Sequence, residues 1–147
     1  MKVISIDPAW NRPYAVATFK DGIFQHCSLM EVSNIGWIIS KNAKNKNELI
    51  VVVEEAYIGI NKRGARDIAY SVGGVIGLCK FFQVEYELMS IKRWKTEHNL
   101  TEKTDKMRLV VMKYLVSKIA HIEIDNIDKQ CAILIGQAWI NQNGGNK

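Results

Sequence analysis

The sequence has only two prolines and no long apolar run, and each absence excludes a class of protein. With 48% hydrophobic residues and so few prolines, the composition is that of a folded domain and not of a disordered chain. No apolar run approaches the roughly 20 residues that a membrane-spanning helix needs. The start, MKVISIDPAW, lacks the apolar stretch and cleavage site of a signal peptide. We therefore expect one domain over residues 1–147, with no membrane partner.

Cysteine is also scarce, because only Cys27, Cys79 and Cys131 occur, far apart and in apolar surroundings. An odd and widely spaced set predicts buried free thiols and argues against disulfides or a zinc site. Free thiols are typical of a reducing compartment, so we expect a cytoplasmic protein.

Positive charge is concentrated in one part of the chain. Residues 92–118 hold eight lysines and arginines against three acids, so this segment alone carries +5, which equals the net charge of the whole chain. A local basic excess indicates a polyanionic partner such as nucleic acid. A solvated helix face explains the same charges equally well.

Hydrophobic patterning predicts the element order β-β-β-α-β-α-β-α-α. The predicted strands cover residues 2–7, 13–20, 22–29, 49–55 and 84–90. Asp21-Gly22 between the second and third strands is a strong hairpin signal. The five consecutive apolar residues from Leu49 to Val53 favour a central strand that pairs in parallel with a neighbour. The pattern therefore predicts an α/β fold in which three antiparallel strands lead into parallel additions.

Four helices are predicted, over residues 32–41, 64–82, 102–119 and from 126 to about 140. Thr101 is the predicted N-cap of the third helix. The predicted inner side of that helix consists of Met107, Val110, Val111, Tyr114 and Leu115. In helix 64–82, alanine and glycine recur every four residues from Ala65 to Gly77, which predicts close packing on the sheet or on a partner helix.

Four acids occupy positions that solubility does not require. Asp7 and Glu54 end two strands, and Asp125 and Asp128 lead the last helix. Functional groups of open sheets gather at the carboxyl ends of parallel strands. Asp125 and Asp128 are three residues apart, so we expect both on one inward helix face. Three or four such carboxylates suit a hard cation such as Mg²⁺, and two such ions can clamp a phosphodiester.

Two of the four acids also have a simpler interpretation. Asp125 could be a plain helix N-cap, and Asp7 before Pro8 could start a turn. Glu55 should point away from Glu54 because side chains alternate along a strand, so it is expected to be solvated or to support the site indirectly.

The order of these motifs resembles that of the RuvC-like Holliday junction resolvases of the ribonuclease H fold. I-D7-P8 is similar to the first-strand motif of that family, and V53-E54-E55-A56-Y57 to its central-strand motif. D125-N-I-D128 is similar to its C-terminal motif. Lys92 and Lys103 match two lysines near the scissile phosphate, and Gly73 matches a glycine in the helix that forms the family's dimer interface.

This resemblance implies a ribonuclease H-like mixed five-stranded sheet, with three antiparallel and two parallel strands flanked by helices. It implies a metal-dependent endonuclease that cuts four-way DNA junctions as a homodimer, through helix 64–82, in a bacterial cell or phage-infected host. Asp7, Glu54, Asp125 and Asp128 would bind two Mg²⁺ or Mn²⁺ ions. Lys103, with Lys92, would offset charge on the phosphate.

Further residues are candidates for contact with DNA. The basic candidates for the backbone are Arg63, Arg66, Lys106 and Arg108. The aromatic candidates for stacking on an unpaired base are Trp10, Tyr57 and Trp94. Ordinary packing in or beside the core is the more common role for each of these three aromatics.

Three alternatives share the fold. A ribonuclease H-like nuclease could cut RNA–DNA hybrids or flap and fork DNA with the same acids. A non-catalytic module could bind branched DNA with a degenerate site, although the complete set of acids argues against this. An actin-like ATPase would need glycine-rich phosphate loops, and Asp7-Pro8-Ala9-Trp10 offers none.

Overall fold

The computed structural model describes residues 1–56, 62–100 and 104–144, except the side chains of Lys46 and Lys62. The strands are β1 (Lys2–Asp7), β2 (Tyr14–Lys20), β3 (Ile23–Met30), β4 (Leu49–Glu54) and β5 (Glu85–Met89). They form one sheet in the order β3-β2-β1-β4-β5. β1, β2 and β3 are antiparallel, whereas β4 is parallel to both β1 and β5. The predicted mixed sheet of three antiparallel and two parallel strands is therefore confirmed.

The predicted hairpin is also confirmed. Lys20 pairs with Ile23 across a two-residue loop of Asp21 and Gly22. Both loop residues have positive φ, 51° and 80°. Two successive left-handed residues match the right-handed twist of the flanking strands, which is why Asp-Gly is favoured here.

Five α-helices lie in the described part of the chain, one more than the sequence predicted. They are α1 (Val32–Asn42), α2 (Lys62–Phe82), α3 (Ile91–Glu97), α4 (Asp105–Ala120) and α5 (Ile127–Asn143), with a 3₁₀ segment at Ala43–Glu48. The unpredicted helix α3 has seven residues, too few to show a hydrophobic period, and Ser90 caps it by accepting from the Arg93 amide. Across the described ranges, no helix has the length and apolar character needed to cross a bilayer.

Alternation along the strands divides the core between the two faces of the sheet. Ile4, Ile6, Val51 and Val53 pack with the helices α1 and α2. Val3, Ile50 and Val52 belong instead to the cluster under α4 and α5. Because successive side chains point to opposite faces, Asp7 and Glu54 continue the α5 side of their strands. The sheet thus directs both acids to the same face.

Helix α5 lies unusually close to the sheet. The hydroxyl of the buried Ser5 donates a 2.6 Å hydrogen bond to the carbonyl of Ala132, one turn before Gly136. A Cβ at Gly136 would lie 2.3 Å from Cε2 of Phe19 and 2.6 Å from Oγ of Ser5. Only glycine therefore fits where this helix crosses β1 and β2.

The predicted inner face of α4 is only partly correct. Met112 and Val116 are buried, and Val111 and Leu115 pack against the same core. Met107, Val110 and Tyr114 were predicted to face inward but are exposed. The apolar residues of α4 lie on several sides of the helix, so their spacing does not identify which side is buried. The predicted N-cap is also wrong, because Thr104 caps the helix by accepting from the Met107 amide.

The glycines of α2 do not pack on the chain's own sheet. A Cβ at Gly73, Gly74 or Gly77 would meet nothing within 4 Å. The flanking Tyr70 and Phe81 are exposed as well. Of the two explanations offered for the small-residue spacing, packing on the sheet is therefore wrong.

We predict that Gly136→Ala lowers the free energy of unfolding by about 1–3 kcal/mol, because overpacking at this contact outweighs the higher helix propensity of alanine. Urea unfolding measures the change. The matched control is Gly144→Ala at the end of the same helix, where an added Cβ would make ordinary contact with Ile140 at 3.6 Å and is expected to raise stability by at most about 0.5 kcal/mol. A gain in stability for both variants would show that the crossing of α5 tolerates a side chain.

Candidate active site

Asp7 and Glu54 lie side by side because of strand register. Ile6 of β1 pairs in parallel with Val53 of β4, so the next residue on each strand is one of the two acids. Both strands end there, and the carboxyl ends of parallel strands are where α/β folds place functional groups. The predicted meeting of these two carboxylates is thus a direct consequence of the register.

Asp128 joins them from the first turn of α5. Burial, Glu54 and Asp128 together raise the pKa of Asp7 to about 8, and Arg12 opposes this increase. Burial also raises the pKa of Glu54. The structure therefore brings Asp7, Glu54 and Asp128 into one electrostatically coupled group at the end of β1 and β4.

Asp125 lies apart from these three acids. Its carboxylate is 84% exposed and lies 2.7 Å from Nζ of Lys113 on α4, whereas the Asp128 side chain is 27% exposed. The prediction that both acids face inward is wrong, because Asp125 precedes the helix and the helical spacing of three residues does not apply to it. The cap interpretation is wrong too, since Asn126 accepts from the Lys129 amide.

Glu54 is held by a tryptophan that the sequence suggested for base stacking. Trp94 is buried and its indole Nε1 donates a 2.9 Å hydrogen bond to Oε2 of Glu54. This contact opposes the rise in the Glu54 pKa. A buried ring cannot stack on DNA, so Trp94 positions the carboxylate instead. Glu55 is exposed, as alternation predicted.

Two cations near the acids were not predicted. Arg12 places Nη1 3.0 Å from Oδ2 of Asp128 and lowers the pKa of Asp7. Lys95, one residue after Trp94, lowers the pKa of Glu54. The sequence signal for Lys95 was its place in the basic segment, but its proximity depends on α3, the helix that patterning missed. Nothing in the sequence indicated that Arg12 lies near the acids.

A cavity of about 230 Å³ opens beside Glu54, between α3, α4 and α5. Lys95, Arg108 and Cys131 contribute to its wall together with apolar side chains. Burial raises the pKa of the Cys131 thiol, and the neighbouring Asp7, Glu54 and Asp128 raise it further. All three cysteines are free, as predicted, but only Cys79 is fully buried.

The basic residues predicted to contact DNA lie on three helices. Arg63 and Arg66 are exposed on α2, Lys92 on α3 and Lys106 on α4. Arg66 contacts Asp67 at 3.3 Å. Arg108 of α4 contacts Asp105 at 2.7 Å and faces the cavity beside Glu54. Of these basic residues, the structure thus brings Arg108 near the acids. Contact with DNA stays a prediction for all five basic residues.

Of the remaining predicted residues, Trp10 is 44% exposed in the loop after β1, with its ring 6.2 Å from that of Tyr70. Lys103 and Tyr57 lie outside the described residues, and their roles stay predictions.

The coupled acids suit a hard divalent cation by their chemistry. All three are carboxylates, the ligand type that Mg²⁺ and Mn²⁺ prefer, and their mutual repulsion is of the kind that a bound cation relieves. Within residues 1–56, 62–100 and 104–144, no group of three His, Cys, Asp or Glu side chains is arranged to hold a metal ion. Glu54 instead contacts Trp94 and Asp128 contacts Arg12, so chelation would require these side chains to reorient.

The sheet order, its helical layers and the acids at the end of β1 and β4 define a ribonuclease H-like α/β fold. Two solved structures are similar over nearly the full length of both chains. One, of RuvC from Thermus thermophilus in complex with a Holliday junction substrate, has a TM-score of 0.70 and 12% identity and covers 98% of this chain and 96% of that one. The other, of T. thermophilus RuvC, has a TM-score of 0.70 and 14% identity and covers 98% and 97%.

The chain therefore has a RuvC-like fold, as the motifs predicted. No protein-family model and no curated protein matches the sequence.

We predict that Asp7 makes the metal-free protein less stable as pH rises. The raised pKa means that the folded state binds more protons than the unfolded state, whose Asp7 has a pKa of 3.8. This contribution to stability is fully present below about pH 4 and is lost as the pH rises towards about 8. Asp7→Asn removes the ionisation, so between pH 5 and pH 8 the variant should gain about 1–3 kcal/mol relative to the parent.

Urea unfolding in EDTA at several pH values measures this difference. Parallel stability profiles for the parent and Asp7→Asn would contradict the prediction. Added Mg²⁺ should stabilise the parent more at pH 8 than at pH 5, because the competing protons are fewer.

Proposed function

We propose that the protein is a metal-dependent, structure-selective DNA endonuclease that resolves four-way junctions. The observation that supports this most directly is the coupled group of Asp7, Glu54 and Asp128, which lies where β1 and β4 end in a RuvC-like fold. The similar structure that holds a Holliday junction matches along nearly the whole chain, which favours a junction over an RNA–DNA hybrid as substrate.

In this proposal the three carboxylates would hold Mg²⁺ or Mn²⁺, and we keep the sequence-based expectation of two ions per site. Bound cations supply a nucleophilic water and stabilise the leaving oxygen of the phosphodiester. Trp94 keeps Glu54 in place through its indole hydrogen bond. Lys95 supplies positive charge beside Glu54, and Lys103, with Lys92, is proposed to offset charge on the scissile phosphate.

The proposed DNA contacts combine the basic helices with one aromatic loop. Arg63, Arg66, Lys92 and Lys106 are exposed and suited to the sugar–phosphate backbone, which confers affinity without sequence choice. Trp10, in the loop next to Asp7, presents nearly half of its surface to solvent and suits stacking on an unpaired base. Tyr57 and Arg108 complete the proposed set.

A homodimer through α2 would supply the two cuts that a junction requires. The exposed ridge of Gly73, Gly74 and Gly77 leaves room for close approach of a second helix, and Tyr70 and Phe81 border it. Since the ridge does not pack on the chain's own sheet, a partner helix is the remaining explanation for the spacing of its small residues.

We predict that Asp128→Asn slows cutting of a labelled four-way junction at least about 100-fold in Mg²⁺, because a carboxylate of the coupled group is lost. Asp125→Asn should slow cutting less than about 10-fold, because Asp125 lies with Lys113 and away from the other three. Rates are measured in single-turnover reactions with excess protein. Equal cutting by the parent and Asp128→Asn would overturn the proposed site.

The paired variants also decide the size of the ligand set. An equal loss in Asp125→Asn and Asp128→Asn would support the four-carboxylate set predicted from the sequence. Binding of the junction by the parent without cutting in Mg²⁺ or Mn²⁺ would favour the non-catalytic module. Faster cutting of an RNA–DNA hybrid would favour the ribonuclease alternative.

We predict that Tyr70→Arg converts a dimer to a monomer, halving the mass measured by light scattering, because the added charge would lie in the proposed α2 interface. Tyr114→Arg is the matched control, since Tyr114 has a similar exposure on α4, 59% against 62% for Tyr70. A monomeric parent protein would exclude the dimer, and dissociation by Tyr114→Arg alone would move the interface to α4.

A further inference from the structure

Four lysines from three separate parts of the sequence meet in one cleft at the far end of the sheet. Lys2 begins β1, Lys20 ends β2, and Lys41 and Lys44 lie at the end of α1 and just after it. They line a cavity of about 530 Å³, which we name the lysine cleft. It is at the opposite end of β1 from Asp7, so about 17 Å of strand separates Lys2 from Asp7.

The positive charge of the lysine cleft is not neutralised by ion pairs. Within the described ranges, no carboxylate lies within 4 Å of any of its four ammonium groups. By contrast, Arg12, Arg66 and Lys113 each contact an acid elsewhere. Two acids, Asp21 and Glu48, also line the cleft, so the lysines outnumber them.

Two of the lysines are oriented by neutral partners. Nζ of Lys2 donates a 2.8 Å hydrogen bond to the side-chain carbonyl of Asn42, whose amide in turn donates to the Ile38 carbonyl at 2.7 Å. Nζ of Lys41 lies 4.8 Å from the centre of the Trp37 ring. These contacts fix the position of the ammonium groups and leave their charge available to an anion.

We propose that the lysine cleft binds the phosphate backbone of a duplex DNA arm that extends away from the cutting site. The cleft is open to solvent, and its four lysines come from β1, β2 and the end of α1. Ammonium groups spread in this way suit the successive phosphates of a DNA strand better than a single enclosed anion. At 3.4 Å of rise per base pair, an arm must extend about five base pairs to span the roughly 17 Å between the two sites. The inference rests on the proposed action on branched DNA and adds a second contact surface to it.

The test compares Lys41→Gln/Lys44→Gln with Lys80→Gln/Lys118→Gln, which removes the same charge from exposed positions elsewhere. Both are made in an Asp128→Asn background, so that the DNA stays intact, and binding is measured by fluorescence anisotropy across a range of salt concentrations. The probes are a four-way junction with 20-base-pair arms, a junction with hairpin-closed arms of three base pairs, and a 20-nucleotide single strand.

We expect the cleft variant to bind the long-armed junction about 5–20-fold more weakly at about 0.1 M salt, with a log–log salt slope reduced by about 2. Binding to the short-armed junction and the single strand should be unchanged, as should long-arm binding by the control variant. Equal losses in the two variants, or equal losses on short and long arms, would overturn the proposal. Loss on the single strand alone would assign the cleft and Trp37 to unpaired DNA instead, against the proposal.

The outcomes separate this proposal from the proposed function. If the cleft variant binds every probe like its background, while the parent still cuts junctions, only the lysine cleft is excluded. If the parent binds junctions no better than a simple duplex and cuts none, the proposed function fails, whatever the cleft variant does.

Discussion

The close crossing of α5 over the sheet is the contact on which the rest of the arrangement depends. The buried Ser5 hydroxyl bonds to the Ala132 carbonyl, and Gly136 leaves no room for a side chain beside Phe19. Ser5 lies two residues before Asp7, and Ala132 lies one turn after Asp128. The same contact that positions the helix therefore fixes how near Asp128 comes to the end of β1. A side chain at position 136 would move an acid as well as weaken the core.

Strand register has the complementary effect on the other two acids. Parallel pairing of β1 and β4 places Asp7 next to Glu54, and alternation turns both towards the face that α5 covers. A shift by one residue in either strand would turn its acid to the face covered by α1 and α2. The apolar residues of both strands are buried on both faces, so such a shift would also disrupt the core. Stability of the sheet and placement of the acids are consequently determined by the same residues.

The sequence predicted the features that depend on local signals. Asp21-Gly22 specified the hairpin, the apolar run of β4 specified a central strand, and Asp7 and Glu54 were recognisable as strand ends. Features that depend on tertiary contacts were missed or wrong. Arg12 lies beside Asp128 only because a loop folds back, and the place of Lys95 depends on the short helix α3. Asp125 fits the motif, but it lies before the first helical residue, where Lys113 of another helix contacts it.

The coupled acids are a source of instability that the surrounding packing must offset. A carboxyl group whose pKa is raised by burial and by two neighbouring carboxylates favours unfolding at neutral pH. Such strain is typical of functional sites, where residues are kept for their chemistry despite their effect on stability. Arg12 offsets part of the repulsion, and the buried apolar side chains around α5 contribute stability as well. Since repulsion among these carboxylates lowers stability at neutral pH, their presence is the physical reason for our proposal that they bind a cation.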